Sequence, residues 1–351
     1  MEKLYFASDY QQGAHPAIME RLCRTNADKT PGYGTDALCA SAREKIRAAC
    51  ACPEAEVHFL VGGTQTNLVM IDALLRPWQG VVSADTGHIS VHEAGAIEAC
   101  GHKVLTLPGH DGKITARQLR ALLDDYAGDA NRDHMVMPGM VYLSQPTEFG
   151  TLYSLAELTD ISALCRARGL PLYVDGARLA YALACPENDV GLSDLARLCD
   201  AFYIGGTKCG ALFGEAVVIP RADTVPHLFT LIKQRGALLA KGRLLGLQFD
   251  VLFTDGLYER LGIPAIAAAE RLRRSLRALG YQPYFEAPTN QTFWVLDNRL
   301  LPRLDEQVAY SFWEKYDETH TVIRLATDWA TEEADVDRLI RVLTDLRAGC
   351  R

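Results

Sequence analysis

The sequence predicts an α/β fold, with a mostly parallel, seven-stranded sheet covered by helices on both faces and a smaller C-terminal α+β domain. From about residue 56 to residue 220, short β-branched and apolar runs alternate with helical patterns, which is typical of parallel sheets. After residue 220 the pattern becomes largely helical, and two further strand-like runs follow. We therefore expect an N-terminal segment and a large domain over residues 1–254, and a small domain over residues 255–351.

The strands of the large sheet are expected at seven apolar runs: Val57–Leu60, Val81–Ser83, Val104–Thr106, Met140–Leu143, Leu172–Val174, Ala201–Tyr203 and Ala216–Ile219. Two of the helices between them have readable starts. Thr115 with Gln118, and Ser154 with Glu157, fit the capping box, in which each side chain satisfies a free backbone donor. Gly169 is placed where it can end the second of these helices.

The remaining elements are expected in the C-terminal third of the chain. They are a long helical stretch over about residues 225–257, a helix from near Pro264 to Gly280, strands at Thr292–Leu296 and Val322–Leu325, and a helix from about Glu332 to Arg347. Proline favours the first turn of a helix and glycine its end, which sets the expected bounds of the second helix.

Composition and charge narrow the function classes. The chain has 351 residues, of which 48% are hydrophobic and 23% are charged, as in ordinary globular proteins. A formal net charge of −8 gives no reason to expect nucleic acid or an anionic membrane as a partner. Residues Met1–Phe6 lack the apolar core of a signal peptide, and no run predicts a membrane span. Ten scattered cysteines without framework spacing predict reduced thiols and a cytoplasmic location.

Lys208 follows an apolar strand and is surrounded by small residues, within Tyr203–Gly210. Burial lowers the pKa of an amine, and a neutral amine is the form that condenses with a carbonyl. Asp175 ends an earlier strand, so its carboxylate takes an equivalent position. A carboxylate that holds a pyridinium and a lysine that holds an aldehyde are the two groups that pyridoxal 5'-phosphate (PLP) requires. A solvated loop lysine is the alternative for Lys208 alone, but together with Asp175 it predicts a PLP site.

Gly63 and Thr64 open a helix directly after a strand. Backbone N–H groups at such a start can bind phosphate, although turns of this kind are common. His88 lies just beyond another strand and could stack on an aromatic ring, act as an acid or base, or cap a turn. His92 follows one helical turn later, and because no third ligand is obvious nearby we predict no metal.

Further polar groups follow strand ends, where open α/β sheets build ligand sites. Glu148 comes shortly after one strand. Arg178 and Arg324 offer planar forks that match a carboxylate, with a surface salt bridge as the alternative for each. Lys241 and Arg243 could bind a phosphate or form the solvated side of a helix.

The sequence resembles a known family, the PLP-dependent threonine aldolases, within the β-eliminating lyase group of fold-type I enzymes. The similarity covers nearly the whole chain. It is carried by Phe6–Asp9, Pro31–Asp36, Gly63–Asn67, His88 with Glu93–Gly95, Asp175–Arg178, Thr207–Lys208 and Val322–Leu325. The Asp-Gly-Ala-Arg and lysine elements in this order are specific to the group, whereas the Gly-Thr-Gln turn adds less.

The resemblance implies how the cofactor would be held. Lys208 would anchor its aldehyde covalently, Asp175 would keep its pyridine nitrogen protonated, and His88 would stack on its ring, which makes these three the expected catalytic residues. The other expected cofactor contacts are Gly63, Thr64, Tyr33, Arg178, Lys241 and Arg243. The resemblance also implies a homotetramer, a dimer of dimers, in which the tyrosine and the last two cations reach the phosphate from a neighbouring subunit.

The resemblance implies that Ser8, Arg178 and Arg324 bind the substrate carboxylate, with His92 and Glu148 near the rest of the substrate. Better-known members carry a histidine where this chain has Glu148, and the pattern is closer to the branch that includes phenylserine aldolase. The implied reaction is retro-aldol cleavage of a β-hydroxy-α-amino acid, of the threonine, allo-threonine or phenylserine type, to glycine and an aldehyde. The base stays open between the two histidines, the glutamate and a water molecule.

Three other functions use the same lysine and aspartate. A β-eliminating lyase or an aminotransferase acting on a small amino acid would need both, since one fold hosts many chemistries. A non-catalytic protein could keep PLP for stability alone. The retention of Ser8, Arg178 and Arg324 argues against that last function, because such a protein needs no carboxylate clamp. A small-molecule amino acid is the expected partner.

Overall fold

The structure, a computed structural model, describes residues 3–348. Its strands are β1 Leu4–Tyr5, β2 Glu56–Leu60, β3 Gln79–Ala84, β4 Val104–Leu107, β5 Met137–Ser144, β6 Leu172–Asp175, β7 Ala201–Gly205, β8 Glu215–Ile219, β9 Gln282–Pro283, β10 Gln291–Asp297, β11 Val308–Ala309, β12 Ser311–Lys315 and β13 His320–Ala326. Its α-helices are α1 Pro16–Arg24, α2 Ala37–Ala49, α3 Gly63–Leu74, α4 His88–Val91, α5 Ala96–Ala99, α6 Ala116–Gly128, α7 Leu155–Arg168, α8 Leu179–Ala184, α9 Leu192–Leu198, α10 Leu228–Gln234, α11 Arg243–Leu252, α12 Leu257–Ala278, α13 Leu301–Asp305 and α14 Glu333–Ala348, and a 3₁₀ turn covers Arg132–His134. None of these helices is both long enough and apolar enough to cross a membrane.

The strands β2 to β8 form one sheet in the order β2-β8-β7-β6-β5-β3-β4. Neighbouring strands are parallel except at β8, which runs antiparallel to both β2 and β7. Every residue of β6 and β7 is buried, as expected for parallel strands covered by helices on both faces. All seven predicted strands are present, and the predicted fold class is confirmed.

The predicted helix ends around this sheet are also confirmed. Thr115 and Gln118 form both hydrogen bonds of a capping box at the start of α6, and Ser154 and Glu157 do so at the start of α7. Gly169 ends α7 with φ +65°, a left-handed conformation that glycine adopts at little cost.

The helical region after β8 differs from the predicted one. The helix expected over residues 225–257 is two helices, α10 and α11, separated by a turn in which Gly236 has φ +69°. The helix expected to begin near Pro264 begins at Leu257, directly after Gly256 with φ +65°. Proline favours a helix start, but the buried apolar positions of α12 begin before the proline and fix the earlier start.

A second sheet of four antiparallel strands, in the order β12-β13-β10-β9, lies in the C-terminal part of the chain. The N-terminal strand β1 runs parallel to β11, so Leu4 and Phe6 join the apolar core of this small sheet. The first half of α12 packs with the core of the large sheet and its second half with the core of the small one. The division of the chain near residue 255 stays a prediction.

One face of the large sheet carries the polar groups that matter for the site. Side chains two residues apart share a face of a strand. Tyr142 and Ser144 of β5, Tyr173 and Asp175 of β6, and Tyr203 of β7 therefore lie on one face, aligned by the pairing of Ser144 with Asp175. The strand ends bring these groups to the carboxyl edge of the sheet, where ligand sites form in folds of this class.

Candidate active site

A cavity of about 260 Å³ opens at this carboxyl edge. Its lining residues are Tyr10, Gly63, Thr64, His88, Ser144, Pro146, Glu148, Asp175, Ala177, Arg178, Tyr203, Thr207, Lys208 and Glu215. A second cavity of about 360 Å³ shares Tyr10, His88, Glu148, Arg178 and Lys208 with the first and adds His92, Ser311, Phe312, Trp313 and Arg324. The sequence-predicted site residues that meet here are Gly63, Thr64, His88, His92, Glu148, Asp175, Arg178, Lys208 and Arg324.

Lys208 lies in a tight turn between β7 and β8. The N–H groups of Gly206 and Thr207 both donate to the carbonyl of Gly214, at 3.0 and 3.1 Å. The Lys208 Nζ has no hydrogen-bond or ion-pair partner among residues 3–348, and the ring of Tyr10 lies 5.9 Å from it. Burial, and then the charge of Arg178, lowers the pKa of the Lys208 amine, which favours the neutral form that attacks a carbonyl.

Close backbone packing holds Asp175 and Lys208 at one cavity. A Cβ on Gly176 would lie 2.1 Å from a carbonyl oxygen of β7. A Cβ on Gly205 would lie 2.4 Å from a carbonyl oxygen of the turn after β6. Neither glycine can carry a side chain without moving backbone, so the two turns lie directly against each other.

Asp175 is buried, and both of its carboxylate oxygens accept hydrogen bonds. Oδ1 accepts from a backbone N–H two residues on at 3.0 Å, and Oδ2 accepts from Asn67 Nδ2 at 3.0 Å and from the Tyr142 hydroxyl at 2.7 Å. Burial would raise the pKa of the Asp175 carboxyl, but His88, Tyr203 and the two Oδ2 donors lower it overall. The group therefore remains an anion that can hold a protonated ring nitrogen.

His88 begins α4 with its ring at the cavity wall. Its Nδ1 lies 2.7 Å from Oε1 of the buried Glu93, and Asn67 Nδ2 donates to the same oxygen at 2.7 Å. The carboxylate thus fixes the orientation of the imidazole. The ring of His92 lies 5.6 Å from that of His88. No group of three or more possible metal ligands lies within residues 3–348, and the absence of a metal stays a prediction.

The start of α3 forms one wall of the cavity. Gly62 precedes the helix without a side-chain cap, so the first N–H groups of the helix receive no side-chain acceptor there. Gly63 and Thr64 line the cavity, and a Cβ on Gly63 would approach the Tyr203 hydroxyl to 3.2 Å. An uncapped twelve-residue helix whose start faces a cavity is suited to bind a phosphate group.

Arg178 forms a buried ion pair with Asp9. Its Nε and Nη2 donate to the two carboxylate oxygens at 2.6 and 3.1 Å. Burial would raise the pKa of the Asp9 carboxyl, but the charge of Arg178 and its hydrogen bonds hold that pKa far below its ordinary value. This pair fixes one cation of the predicted carboxylate clamp in place.

Arg324 supplies the second cation and retains an unused donor. It donates to Gln291 Oε1 at 3.0 Å, to the carbonyl of Ala7 at 2.9 Å and to Ser311 Oγ at 3.0 Å. Its Nε is buried without a hydrogen-bond partner among the described residues. Burial, and then the charge of Arg178, lowers the pKa of Arg324 to about 10. A bound carboxylate would compensate this cation, which suits Arg324 to the predicted clamp.

Glu148 reaches the cavity from the turn after β5. Thr147 and Thr151 close this turn through a backbone bond of 2.9 Å and a contact of 2.6 Å between their hydroxyls. The Glu148 Oε1 accepts from the backbone N–H of His88 at 2.9 Å and from Ser144 Oγ at 2.7 Å. Burial raises the pKa of the Glu148 carboxyl above its ordinary value.

Four predicted site residues do not line the cavity in this chain. Tyr33 lines a separate cavity, and its N–H donates at 3.0 Å to the carbonyl of Ala240. The next residue, Lys241, has an exposed side chain. Arg243 donates to the backbone oxygen and the hydroxyl of Thr25, at 2.9 and 2.7 Å. Ser8 is half-buried beside residues that contact the two site arginines, but is not in the lining. The roles of all four stay predictions.

Several residues of the site received no role from the sequence. They are Asp9, Tyr10, Asn67, Glu93, Tyr142, Ser144, Tyr203, Thr207, Glu215, Ser311, Phe312 and Trp313. Helical spacing could have indicated Asn67, since it lies one turn after Gly63 on the same side of α3. Thr207 directly precedes Lys208, and Glu93 follows His88 closely, so nearness in the sequence could have indicated both. Most of the others depend on strand register or on contacts between distant segments, for which the sequence has no local signal.

Glu215 is the least expected of these groups. It begins β8, is buried, and accepts the N–H of Gly206 at 3.0 Å. Burial raises the pKa of the Glu215 carboxyl to about 8. Burial therefore favours the neutral form of this carboxyl, which lessens the negative charge in the cavity that the helix start of α3 also lines.

The cavity fits PLP by its own chemistry. It combines a lysine with a lowered pKa and no polar partner among residues 3–348, a buried carboxylate that stays ionised, and an uncapped helix start. Together with a mostly parallel seven-stranded sheet and a small antiparallel C-terminal sheet, these groups define a fold-type I PLP-dependent enzyme.

Comparison with known proteins identifies the family. A family model described as Beta-eliminating lyase matches residues 5–298. Low specificity L-threonine aldolases from a Pseudomonas species and from Pseudomonas aeruginosa are each 30% identical, over 98% and 97% of this chain and 97% and 96% of theirs. The chain belongs to the β-eliminating lyase family, among the PLP-dependent threonine aldolases, and is a PLP-dependent lyase.

Solved structures agree with this assignment. A threonine aldolase from Leishmania major is 44% identical, with a TM-score of 0.95 over 98% of this chain and 99% of the other. An aspartate aminotransferase from Thermus thermophilus, at 14% identity, has a TM-score of 0.70 over 98% of this chain and 92% of the other. The second likeness shows the shared fold alone.

We expect Asp9→Ala to destabilise the protein by about 3–5 kcal/mol, because Arg178 would stay buried without its partner. Urea unfolding of the variant and the wild type measures this difference. Since the Asp9 pKa is depressed, its contribution is present above pH 3.8 and is lost only at lower pH. Glu318→Ala, which breaks the exposed pair with Lys315, is the control and should cost less than about 1 kcal/mol. An equal loss in both variants would contradict this account.

Proposed function

We propose that the protein cleaves a β-hydroxy-α-amino acid, of the threonine, allo-threonine or phenylserine type, to glycine and an aldehyde. The observation that carries this proposal is that Lys208, Asp175, Arg178 and Arg324 line two cavities that share residues. Lys208 and Asp175 are suited to bind PLP, and the two arginines are suited to bind an α-carboxylate. The similarity to proteins named low specificity L-threonine aldolase supports the same reaction.

Different residues of the chain would bind the cofactor and orient the substrate. Bound PLP supplies an electron sink for the bond-breaking step. The neutral amine of Lys208 would hold and release the cofactor, Asp175 would keep its ring nitrogen protonated, and His88 would support its ring face. The free Nε of Arg324 would bind the substrate carboxylate and so orient the Cα–Cβ bond.

A proton acceptor for the β-hydroxyl is available in the second cavity. His92 lines it, and partial burial together with the charges of His88 and Arg324 lowers the pKa of His92. Its imidazole is therefore neutral at pH 7 and can accept a proton. Glu148 lines both cavities and is the other candidate. A positioned base is worth roughly 10²–10⁴-fold in rate.

The experiment that tests the proposal is product identification with the PLP-loaded protein. Threonine, allo-threonine, phenylserine and serine would be supplied separately, and a further mixture would pair alanine with a 2-keto acid. Glycine together with acetaldehyde or benzaldehyde supports the proposed reaction. Pyruvate and ammonia from serine, without glycine from the other substrates, would show a β-eliminating lyase. Amino-group exchange in the mixture would show an aminotransferase.

We expect Trp313→Leu to lower the ratio of kcat/KM for phenylserine to that for threonine by about tenfold, the size of one lost apolar pocket contact. The pairing of β12 with β13 shifts between Phe312 and Glu314, so Trp313 is the extra residue of a bulge. This lets Ser311, Phe312 and Trp313 all line the second cavity, whereas a regular strand would present alternate residues. Steady-state kinetics on both substrates measures the ratio.

The control for this prediction is Trp78→Leu. Trp78 is exposed, at 64%, whereas Trp313 is half-buried, and Trp78 lines neither cavity of the site. We expect this variant to leave the ratio unchanged. An equal fall in activity on both substrates in Trp313→Leu would contradict a role in side-chain selection.

We also propose a cytoplasmic homotetramer in which Tyr33, Lys241 and Arg243 complete a neighbour's phosphate site. None of the three lines the cavities of the site in its own chain, which is compatible with such sharing, and the cysteines of residues 3–348 are all free thiols. Mixing unfolded Lys208→Ala and Arg243→Ala chains and refolding them together should restore part of the activity, since some sites would combine the intact residues. Absence of any recovery, with tetramers formed, would contradict shared sites.

A further inference from the structure

A hydrogen-bonded series of four side chains runs from the carboxylate suited to hold PLP to the substrate cavity. Its members are Asp175, Tyr142, Ser144 and Glu148. Tyr142 donates its hydroxyl proton to Asp175 Oδ2 at 2.7 Å. Ser144 Oγ lies 3.2 Å from the Tyr142 hydroxyl and 2.7 Å from Glu148 Oε1. Because Tyr142 and Ser144 are two residues apart in β5, both point to the same face of the sheet. Asp175 and Glu148 both line the cavity, so Ser144 stands between two functional carboxylates.

The hydroxyl protons of this hydrogen-bonded series have two possible arrangements. The series contains three contacts, but only Tyr142 and Ser144 carry a hydroxyl proton when both carboxyls are ionised. Tyr142 gives its proton to Asp175, so the single proton of Ser144 can serve either Glu148 or Tyr142. When Glu148 is protonated it can donate to Ser144, and Ser144 then donates to Tyr142. Only in that state do all three contacts hold a proton.

We propose that Ser144 is a positioning residue that couples proton uptake by Glu148 to the hydrogen bond between Tyr142 and Asp175. The inference rests on the proposed aldol cleavage, and of the two candidate bases it takes Glu148, which accepts the Ser144 hydroxyl, as the acceptor of the β-hydroxyl proton. While Glu148 is ionised, Ser144 donates to it and stabilises the base. When Glu148 takes the proton, the Ser144 hydroxyl turns to Tyr142, whose bond to Asp175 strengthens because successive hydrogen bonds polarise one another.

The proton balance of this step closes. The O–H bond of the substrate breaks, its proton moves to Glu148, and its electron pair becomes the second bond of the aldehyde carbonyl. The Cα–Cβ pair stays with the glycine half of the substrate. Glu148 then returns the same proton to that carbon, so that glycine leaves and the carboxylate is restored. No other reactant is needed.

Charged and titratable groups face Glu148 from every element around it. The basic groups are His88, His92, Arg178, Lys208 and Arg324. The acidic groups and phenols are Glu93, Asp175, Tyr10, Tyr142 and Tyr153. Burial has the largest effect on the pKa of Glu148 and raises it, whereas the hydrogen bond from Ser144 lowers it. The hydrogen bond from Ser144 thus favours the ionised form of Glu148, together with the N–H of His88.

The test uses two substitutions with opposite expected effects on the acid limb of the pH profile of kcat/KM. Ser144→Ala removes a donor that favours the ionised base, so the limb should move up by about one pH unit. Tyr142→Phe removes the competing acceptor and leaves Ser144 donating to Glu148, so the limb should move down. A general loosening of the site would not give opposite signs.

A second readout does not depend on turnover. Infrared difference spectra of the full-length, PLP-loaded protein across the same pH range would follow the C=O band of the protonated Glu148 carboxyl, identified by its loss in Glu148→Gln. The midpoint of this band should shift as the activity limb does. Ser144→Cys keeps a donor at the same position, although a weaker one, and should shift both midpoints in the same direction as Ser144→Ala but less.

The control is Ser162→Ala, which removes a buried hydroxyl of α7 that donates at 2.6 Å to the backbone carbonyl of Leu198 at the end of α9, away from the cavity. It should move neither midpoint. Shifts of equal sign in Ser144→Ala and Tyr142→Phe, no shift in either, or the same shift in Ser162→Ala would overturn the coupling. If the wild type released no glycine from any β-hydroxy amino acid, the proposed reaction would fail, while the infrared midpoints would still decide whether Ser144 controls Glu148.

Discussion

Replacing Lys208 with alanine is expected to abolish turnover, with kcat/KM falling by at least about 10³-fold. Removal of a covalent nucleophile costs as much as about 10⁶-fold in well-studied enzymes. The amine is the group at this cavity whose lowered pKa suits attack on an aldehyde. Glycine release from threonine and phenylserine measures the activity. Borohydride treatment followed by peptide mass analysis measures the covalent bond, which should join PLP to Lys208 in the wild type and be absent in the variant.

Stability separates this loss from misfolding. Lys208 has no polar partner within residues 3–348, so its removal from the cofactor-free protein should not destabilise the fold. Its folded pKa lies below 10.5, so the wild type carries a penalty at neutral pH that fades as the pH rises to that value. The stability gained by Lys208→Ala should therefore shrink with increasing pH. Lys45→Ala, which breaks an ion pair with Asp250 outside the cavity, should retain the PLP bond. Covalent PLP in Lys208→Ala would contradict the assignment.

Replacing Asp175 with alanine is the second change of large expected effect, with a fall in kcat/KM of about 10²–10³-fold, as for other buried electrostatic groups in active sites. The buried carboxylate stays ionised because several donors converge on it, and it would hold the protonated ring nitrogen of PLP. Steady-state kinetics measures the fall. The absorbance of the bound cofactor as a function of pH reports whether the nitrogen is still protonated.

A chemically altered cofactor gives this prediction its sharpest test. PLP methylated at the ring nitrogen is positively charged at every pH and needs no carboxylate to hold a proton. It should restore activity in Asp175→Ala relative to ordinary PLP. Asp250→Ala removes a buried carboxylate from α11, outside the cavity, and should show neither the fall nor the restoration. Equal activity with both cofactors in Asp175→Ala would contradict the proposed role of Asp175.

The sequence was informative where chemistry restricts the choice of residue. A lysine and an aspartate after successive buried strands are rare without a ligand, which is why Lys208 and Asp175 could be predicted. Capping boxes and strand periodicity act over a few residues, so the bounds around the large sheet were also predictable. The interior position of Pro264 was not, because the packing of α12 overrides the local preference of one residue.

The hydrogen-bonding partners of the predicted site residues could not be identified from the sequence. Tyr142 and Ser144 act through the register of β5 against β6, and a shift of one residue would have turned both side chains to the opposite face. Asp9 meets Arg178 across 169 positions of the chain, a contact for which no local pattern exists. Such residues can be identified only from the three-dimensional positions of the strands and of the N-terminal segment.

Because β1 pairs with β11, the residues of β1 can reach their native position only after β11 has been synthesised. Ala7 accepts a hydrogen bond from Arg324, 317 positions later in the chain, and Asp9 and Tyr10 follow it directly into the site. On the ribosome, the segment that follows β1 must wait until β13 has been made before it can reach its native neighbours. The large sheet can form while synthesis continues, but the site is completed only after β13 has emerged. A nascent chain can therefore be largely folded and still unable to turn over substrate.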